Sequence, residues 1–136
     1  MTAQTIYLPT LDDRPAIGGL LLWKDPENYI RLEGGSLGKN EINFVGCVAD
    51  SDITIGRGRL SSDRIVLRLE RRGSRVNALC SADVKEWFTA GSVEFPVEGP
   101  VEIGLHAIGG IDRLVYPDAY PDGTAIRFES FELWTD

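Results

Sequence analysis

Residues 63–81 read Asp-Arg-Ile-Val-Leu-Arg-Leu-Glu-Arg-Arg-Gly-Ser-Arg-Val-Asn-Ala-Leu-Cys-Ser. Ile65, Leu67 and Leu69 alternate with Arg64, Arg68 and Glu70. A period of two puts the apolar set on one face of a strand and the charged set on the other. Arg72-Gly73-Ser74 makes a tight turn, since glycine accepts the positive φ that tight turns demand. Val76, Ala78 and Cys80 then share one face, with Arg75 and Asn77 opposite. The stretch is an antiparallel hairpin with one buried face, and its pattern guides the reading of the rest.

Upstream, Ile17-Gly-Gly-Leu-Leu-Leu-Trp23 is apolar on both faces. Lys24-Asp25-Pro26-Glu27 turns the chain, because Pro pre-sets its φ and Asp can bond the following backbone. In 28–34, Ile30 and Leu32 alternate with Tyr29, Arg31 and Glu33, so this pair is a second hairpin. Residues 41–49 place Ile42, Phe44 and Val48 on one face. Downstream, Val101, Ile103, Leu105 and Ala107 alternate with Glu102 and His106. In 124–134, Phe128 and Phe131 stand three apart, and a β-bulge would bring both to the core. Helical periodicity is confined to 81–90, with room for one turn. About eight strands result, without the crossover helices that parallel strands need. The expectation is an all-β antiparallel sandwich of two packed sheets, one domain over 1–136, with little or no helix.

Composition agrees. The chain has 136 residues with 15 Gly and 7 Pro, which suits a single domain of many short turns. A net charge of -7 repels a phosphate backbone and argues against nucleic acid. The longest apolar run, 17–23, is far too short for a membrane helix. The N-terminus carries no basic and apolar leader, which implies a cytoplasmic location if Met1 is the natural start. Cys47 and Cys80 have neither metal-ligand nor CxxC spacing and sit among apolar residues, so both read as buried free thiols. No cofactor motif is present.

The runs GGLLLWKDPENYIRLE, RIVLRLERRGSRVNALCSADVKEWF, VEIGLHAIG and AIRFESFELW, in that order, resemble bacterial concanavalin-A-like domains. The group they are most similar to is one of unknown function, related to the C-terminal sandwich of β-xylosidases. The resemblance runs from Ile17 to near the C-terminus. It implies a jelly-roll sandwich with one concave sheet, and a superfamily in which accessory and sugar-binding domains are frequent. Two departures stand out. The family opens with further strands ahead of the Gly-Leu-Leu-Leu strand, where this chain has only residues 1–14. The chain is therefore expected to lack N-terminal strands, with Gln4–Leu8 covering part of the gap or two copies pairing edge to edge. The turn from Ser81 to Trp87 carries Val84 where the family has Gly, so either the turn differs or Val84 is strained.

No residue pair answers to a glycosidase acid and nucleophile, since Glu129 and Glu132 lack the superfamily pattern and Glu98 and Glu102 flank a turn. No catalytic residue and no metal ligand set is assigned. Trp23, Tyr29 and Trp87 are candidate platforms for the apolar face of a sugar ring, against a plainer role in packing. Arg31, Arg68 and Asn77, outward on neighbouring strands, could bond hydroxyls, or the arginines could pair with Glu33 and Glu70. His106 is either a groove donor or a solvent-facing strand residue. The loop 108–123 carries Tyr116 and Tyr120, candidates for a lid, and Asp112, Asp118 and Asp122, whose spacing is not that of a calcium loop. The leading expectation is a non-catalytic accessory or ligand-binding module with carbohydrate as ligand class. Beside it stand an interaction or regulatory domain of a larger protein, meeting another domain or a second copy through an open sheet edge, and, third, a glycoside hydrolase.

Overall fold

The computed structural model describes residues 1–9, 17–35, 40–108 and 126–135. Among these residues ten strands run antiparallel: β1 (Thr2–Leu8), β2 (Ile17–Asp25), β3 (Asn28–Gly34), β4 (Glu41–Val48), β5 (Ser51–Arg59), β6 (Ile65–Arg72), β7 (Arg75–Ser81), β8 (Phe88–Glu94), β9 (Glu102–Ile108) and β10 (Arg127–Trp134). They form two five-stranded sheets. The first has the order β10-β1-β6-β7-β8 and the second β5-β4-β3-β2-β9. Both hairpins read from the sequence are present, β6–β7 and β2–β3. In the latter, Asp25 Oδ1 accepts from the Glu27 amide at 2.9 Å, the turn bond expected of that aspartate.

Two strands, β5 and β8, go beyond the sequence expectation. Both are sheet edges with interrupted alternation, and the bend Ser81–Trp87 that leads into β8 holds no helix. The segment Gln4–Leu8 lies within β1, which sits inside the first sheet between β10 and β6. Val84 takes φ +63°, so this β-branched residue is strained in the turn, as one of the two expectations had it. Cys47 and Cys80 are both free and buried.

The core lies between the sheets. Leu20, Leu22, Ile30, Leu32, Ile65, Leu67, Leu69 and Val76 are fully buried, as alternation requires, and Tyr7, Phe44 and Phe95 join them. A bulge pairs Thr5 with Phe131 and Tyr7 with Phe128, so both phenylalanines face inward. Yet Phe131 is 39% exposed, Leu105 40%, and Ile103 and Phe128 are only half-buried. The cause is position: β9 and β10 are the edge strands on one side of the sandwich. On the other side β5 and β8 meet so closely that a Cβ on Gly56 would lie 1.7 Å from the Ala90 carbonyl oxygen.

Candidate functional site

Register places three rows of side chains across the outer face of the second sheet. One row runs His106, Gly19, Glu33, Asn43, Arg57. The next runs Gly104, Leu21, Arg31, Val45, Thr54, and the third Glu102, Trp23, Tyr29, Cys47, Asp52. Each outward residue follows from alternation with the inward Leu20, Leu22, Ile30, Leu32, Ile42 and Phe44. An open groove of about 440 Å³ lies on this face, with Tyr29, Arg31, Glu33, Asn43, Thr54 and Arg57 in its lining.

Glu33 anchors the groove. Its side chain is only 4% exposed, although it points away from the core. Arg31 Nε approaches its Oε2 at 3.6 Å and His106 Nε2 at 3.3 Å. His106 reaches Glu33 from two strands away because Gly19, which lies between them, has no side chain. Neither contact has hydrogen-bond geometry, and among the described residues Glu33 Oε2, Arg31 Nε and His106 Nε2 are buried without a hydrogen bond. Such groups are rare and costly in folded proteins. Burial pushes the Glu33 carboxyl above the usual carboxylate range, with Arg31 acting against it. Burial, aided by Arg31, holds His106 down at about 4. At neutral pH the imidazole is therefore uncharged.

That assignment has a measurable sign. An unfolded chain takes a proton on His106 near pH 6.5, whereas the folded chain refuses it until about 4. His106 thus supports the fold fully above 6.5, and its contribution declines as pH falls through that window. In denaturant unfolding, the stability advantage of the native chain over His106→Asn should shrink between pH 7 and pH 4.5. An advantage that grows instead would show that folded His106 protonates early and forms a true ion pair with Glu33.

At the end of the groove, Trp23 and Tyr29 stack with ring centroids 5.4 Å apart and an interplanar angle of 21°. The Arg31 guanidinium lies 5.9 Å from the Tyr29 centroid. Tyr29, Arg31 and His106 therefore share one face, with Trp23 behind Tyr29. The expectation that His106 faces solvent is corrected: its side chain is 12% exposed. Arg68 and Asn77 do not belong to this face. They lie on β6 and β7, on the outer face of the other sheet, because alternation tells inward from outward but not which sheet a strand joins. The arginine–glutamate pairs do exist, along each strand rather than across strands: Arg31 with Glu33, and Arg68 with Glu70 at 3.7 Å. Tyr116 and Tyr120, and Asp112, Asp118 and Asp122, lie outside the described residues. Glu33, Asn43 and Arg57 were not read as site residues. Their outward parity was legible; the burial of Glu33 depends on a glycine, Gly19, on the strand between it and His106.

No protein-family model matches the chain, and no curated protein matches it in sequence. Solved structures do match. The GH43 BlXynB protein from Bacillus licheniformis superposes with a TM-score of 0.70 at 13% identity, over 96% of this chain and 26% of that one. A functionally unknown protein from Saccharomyces cerevisiae gives 0.68 at 13%, over 99% of this chain and 70% of that one. The carbohydrate binding module CBM66 from Bacillus subtilis gives 0.55 at 13%, over 96% and 71%. At these identities the likeness establishes the fold, a two-sheet β-sandwich. The chain spans about a quarter of the GH43 chain it matches.

Proposed function

We propose that this chain is a non-catalytic sandwich module that binds a saccharide on the outer face of the second sheet. One observation carries the reading: a nearly buried carboxyl, Glu33, lines an open groove with an oxygen that no donor among the described residues satisfies. A sugar hydroxyl is a donor of the right size, and an adjacent hydroxyl can accept from Arg31. Tyr29, backed by Trp23, offers an aromatic wall for the apolar face of the ring. The groove's volume suits a small ligand. The likeness to a carbohydrate binding module, and to GH43 chains in which this sandwich is one part, supports the same ligand class.

The groove's two carboxylates favour binding over hydrolysis. Glu33 and Asp52 sit two strands and four residues apart in register, a backbone separation of about 16 Å from ordinary strand spacings. Glycosidase pairs stand about 5–9.5 Å apart. The test is titration of tryptophan fluorescence with xylo- and fructo-oligosaccharides. Saturable binding is expected, weakened roughly tenfold or more in Tyr29→Ala and Arg31→Ala. Silence across the panel would favour a second reading, an interaction domain. That reading draws on the exposed Leu105, Phe131 and Leu133 of the edge strands β9 and β10.

A further inference from the structure

Arg68 and Asn77, excluded from the groove, belong to a separate construction on the opposite sheet. The Arg68 guanidinium stacks on Trp87 at 4.1 Å from the ring centroid and faces Trp134 at 6.0 Å. Arg68 Nε donates to Gln4 Oε1 at 2.9 Å, and Glu70 Oε1 lies 3.7 Å from its Nη1. The cation thus lies among two indoles, an amide and a carboxylate. Register sets a polar row beside it: Trp134, Thr2, Glu70, Asn77 and Ser92, one residue from each of the five strands. Five strands at ordinary spacing make a row about 19 Å long. Ser92 donates to Asn77 Oδ1 at 2.6 Å, which fixes the far end.

The position of Trp87 is bought with strain. Val84 takes φ +63°, which a β-branched residue resists. The bend is held by the Val84 amide donating to Ser81 Oγ at 2.9 Å, and by the Lys85 and Glu86 amides donating to Asp83 Oδ1. The Val84 carbonyl then accepts from Trp87 Nε1 at 3.2 Å, which orients the indole over Arg68. Strain of this kind persists where the surroundings over-determine it, and it clusters at ligand sites. Trp134 remains 44% exposed at the opposite end.

We infer that the outer face of the first sheet is a second saccharide surface, suited to an extended polysaccharide chain lying across the strands. Trp134 is its open aromatic platform, Trp87 its fixed wall, and Glu70, Asn77 and Ser92 its hydroxyl partners. An anionic ligand is disfavoured, because Glu70 and Gln4 already engage Arg68 and Glu132 sits beside Gln4 in register. A flat row with aromatics at its margin accepts a chain along its length, whereas the groove of the second sheet accepts a short segment. The two faces point in opposite directions, so one monomer would bridge two polysaccharide chains. This inference shares with the proposed function only the ligand class and uses none of its residues.

The test uses soluble arabinoxylan and xyloglucan with four forms of the full chain: native, Glu33→Gln, Trp134→Ala and the double variant. Affinity electrophoresis reads binding, and turbidity reads cross-linking of the polysaccharide by monomeric protein. Trp134 is exposed, so its truncation leaves the fold intact, and Trp134→Tyr should restore binding. The native protein is expected to bind and to raise turbidity. Trp134→Ala should bind at least about tenfold more weakly to polysaccharide, keep its response to short oligosaccharides and lose turbidity. The double variant should bind neither. Polysaccharide binding and turbidity unchanged in Trp134→Ala, with Glu33→Gln abolishing both, would overturn the second surface and leave the groove standing. The reverse pattern would overturn the groove and leave the second surface. Native protein that binds neither polysaccharide overturns the second surface outright.

Discussion

Gly56→Ala is expected to remove about 4 kcal/mol or more of stability, while Gly58→Ala on the same strand changes it by less than about 1 kcal/mol. Both glycines lie on β5 with side-chain positions turned inward, and neither has a left-handed φ. They differ in what a methyl group would meet. At Gly58 the nearest atom is Ile42 Cβ at 3.7 Å, ordinary contact. At Gly56 it is the backbone oxygen of Ala90, at 1.7 Å, on the other sheet. A backbone carbonyl in a paired strand cannot swing aside as a side chain can, so β5 or β8 must move. That movement opens the seam that covers Phe44, one of the largest fully buried side chains. Overpacking alone costs about 1–3 kcal/mol, and partial exposure of an aromatic core residue adds to it. Domains of this size hold about 5–15 kcal/mol in all. Urea unfolding of the two variants decides the matter: equal midpoints would show that the sheets slide apart freely and that the seam contributes little.

How much of this was legible in the sequence follows from what a period of two can encode. Alternation reports which side chains turn inward, and at Leu20, Leu32, Leu67 and Val76 that was enough to name the core. It carries no information on partners that are distant in sequence. Arg31 and Arg68 have the same outward parity and the same glutamate two residues on, yet they lie on opposite outer faces. β5 and β8 are hard to read because edge strands are not buried on one clean face, and because Gly56 stands where the backbones approach rather than where side chains pack. Val84 was legible in the other direction. A β-branched residue in a glycine position signalled strain, and the strain is there. The burial of Glu33 was not legible at all. It requires knowing that β2 lies between β3 and β9, so that Gly19 clears a path for His106.

Replacing Glu33 should separate function from stability. Glu33→Gln keeps the shape of the side chain and removes its charge. Hydrogen bonds to a charged group are worth about 1.5–3 kcal/mol, so oligosaccharide affinity should fall roughly 10- to 150-fold. Stability should move the other way. The carboxyl of Glu33 is displaced upward chiefly by burial, which means that burial works against its charged form in the folded protein. Its partners compensate poorly, since Arg31 stands at 3.6 Å and His106 is uncharged. An amide costs less to bury, and Arg31, whose side chain is 32% exposed, can turn to water when the carboxylate is gone. The midpoint of thermal unfolding at pH 7 should therefore stay level or rise. The displaced carboxyl adds a check on pH: lowering pH through its raised value protonates the native side chain, so the stability gap between native chain and variant should close in acid. Loss of affinity together with gain of stability is the signature of a group retained for its ligand. If Glu33→Gln instead lowers stability and spares binding, the Arg31–Glu33–His106 cluster is a structural ion pair, and the groove's ligand is held by other residues.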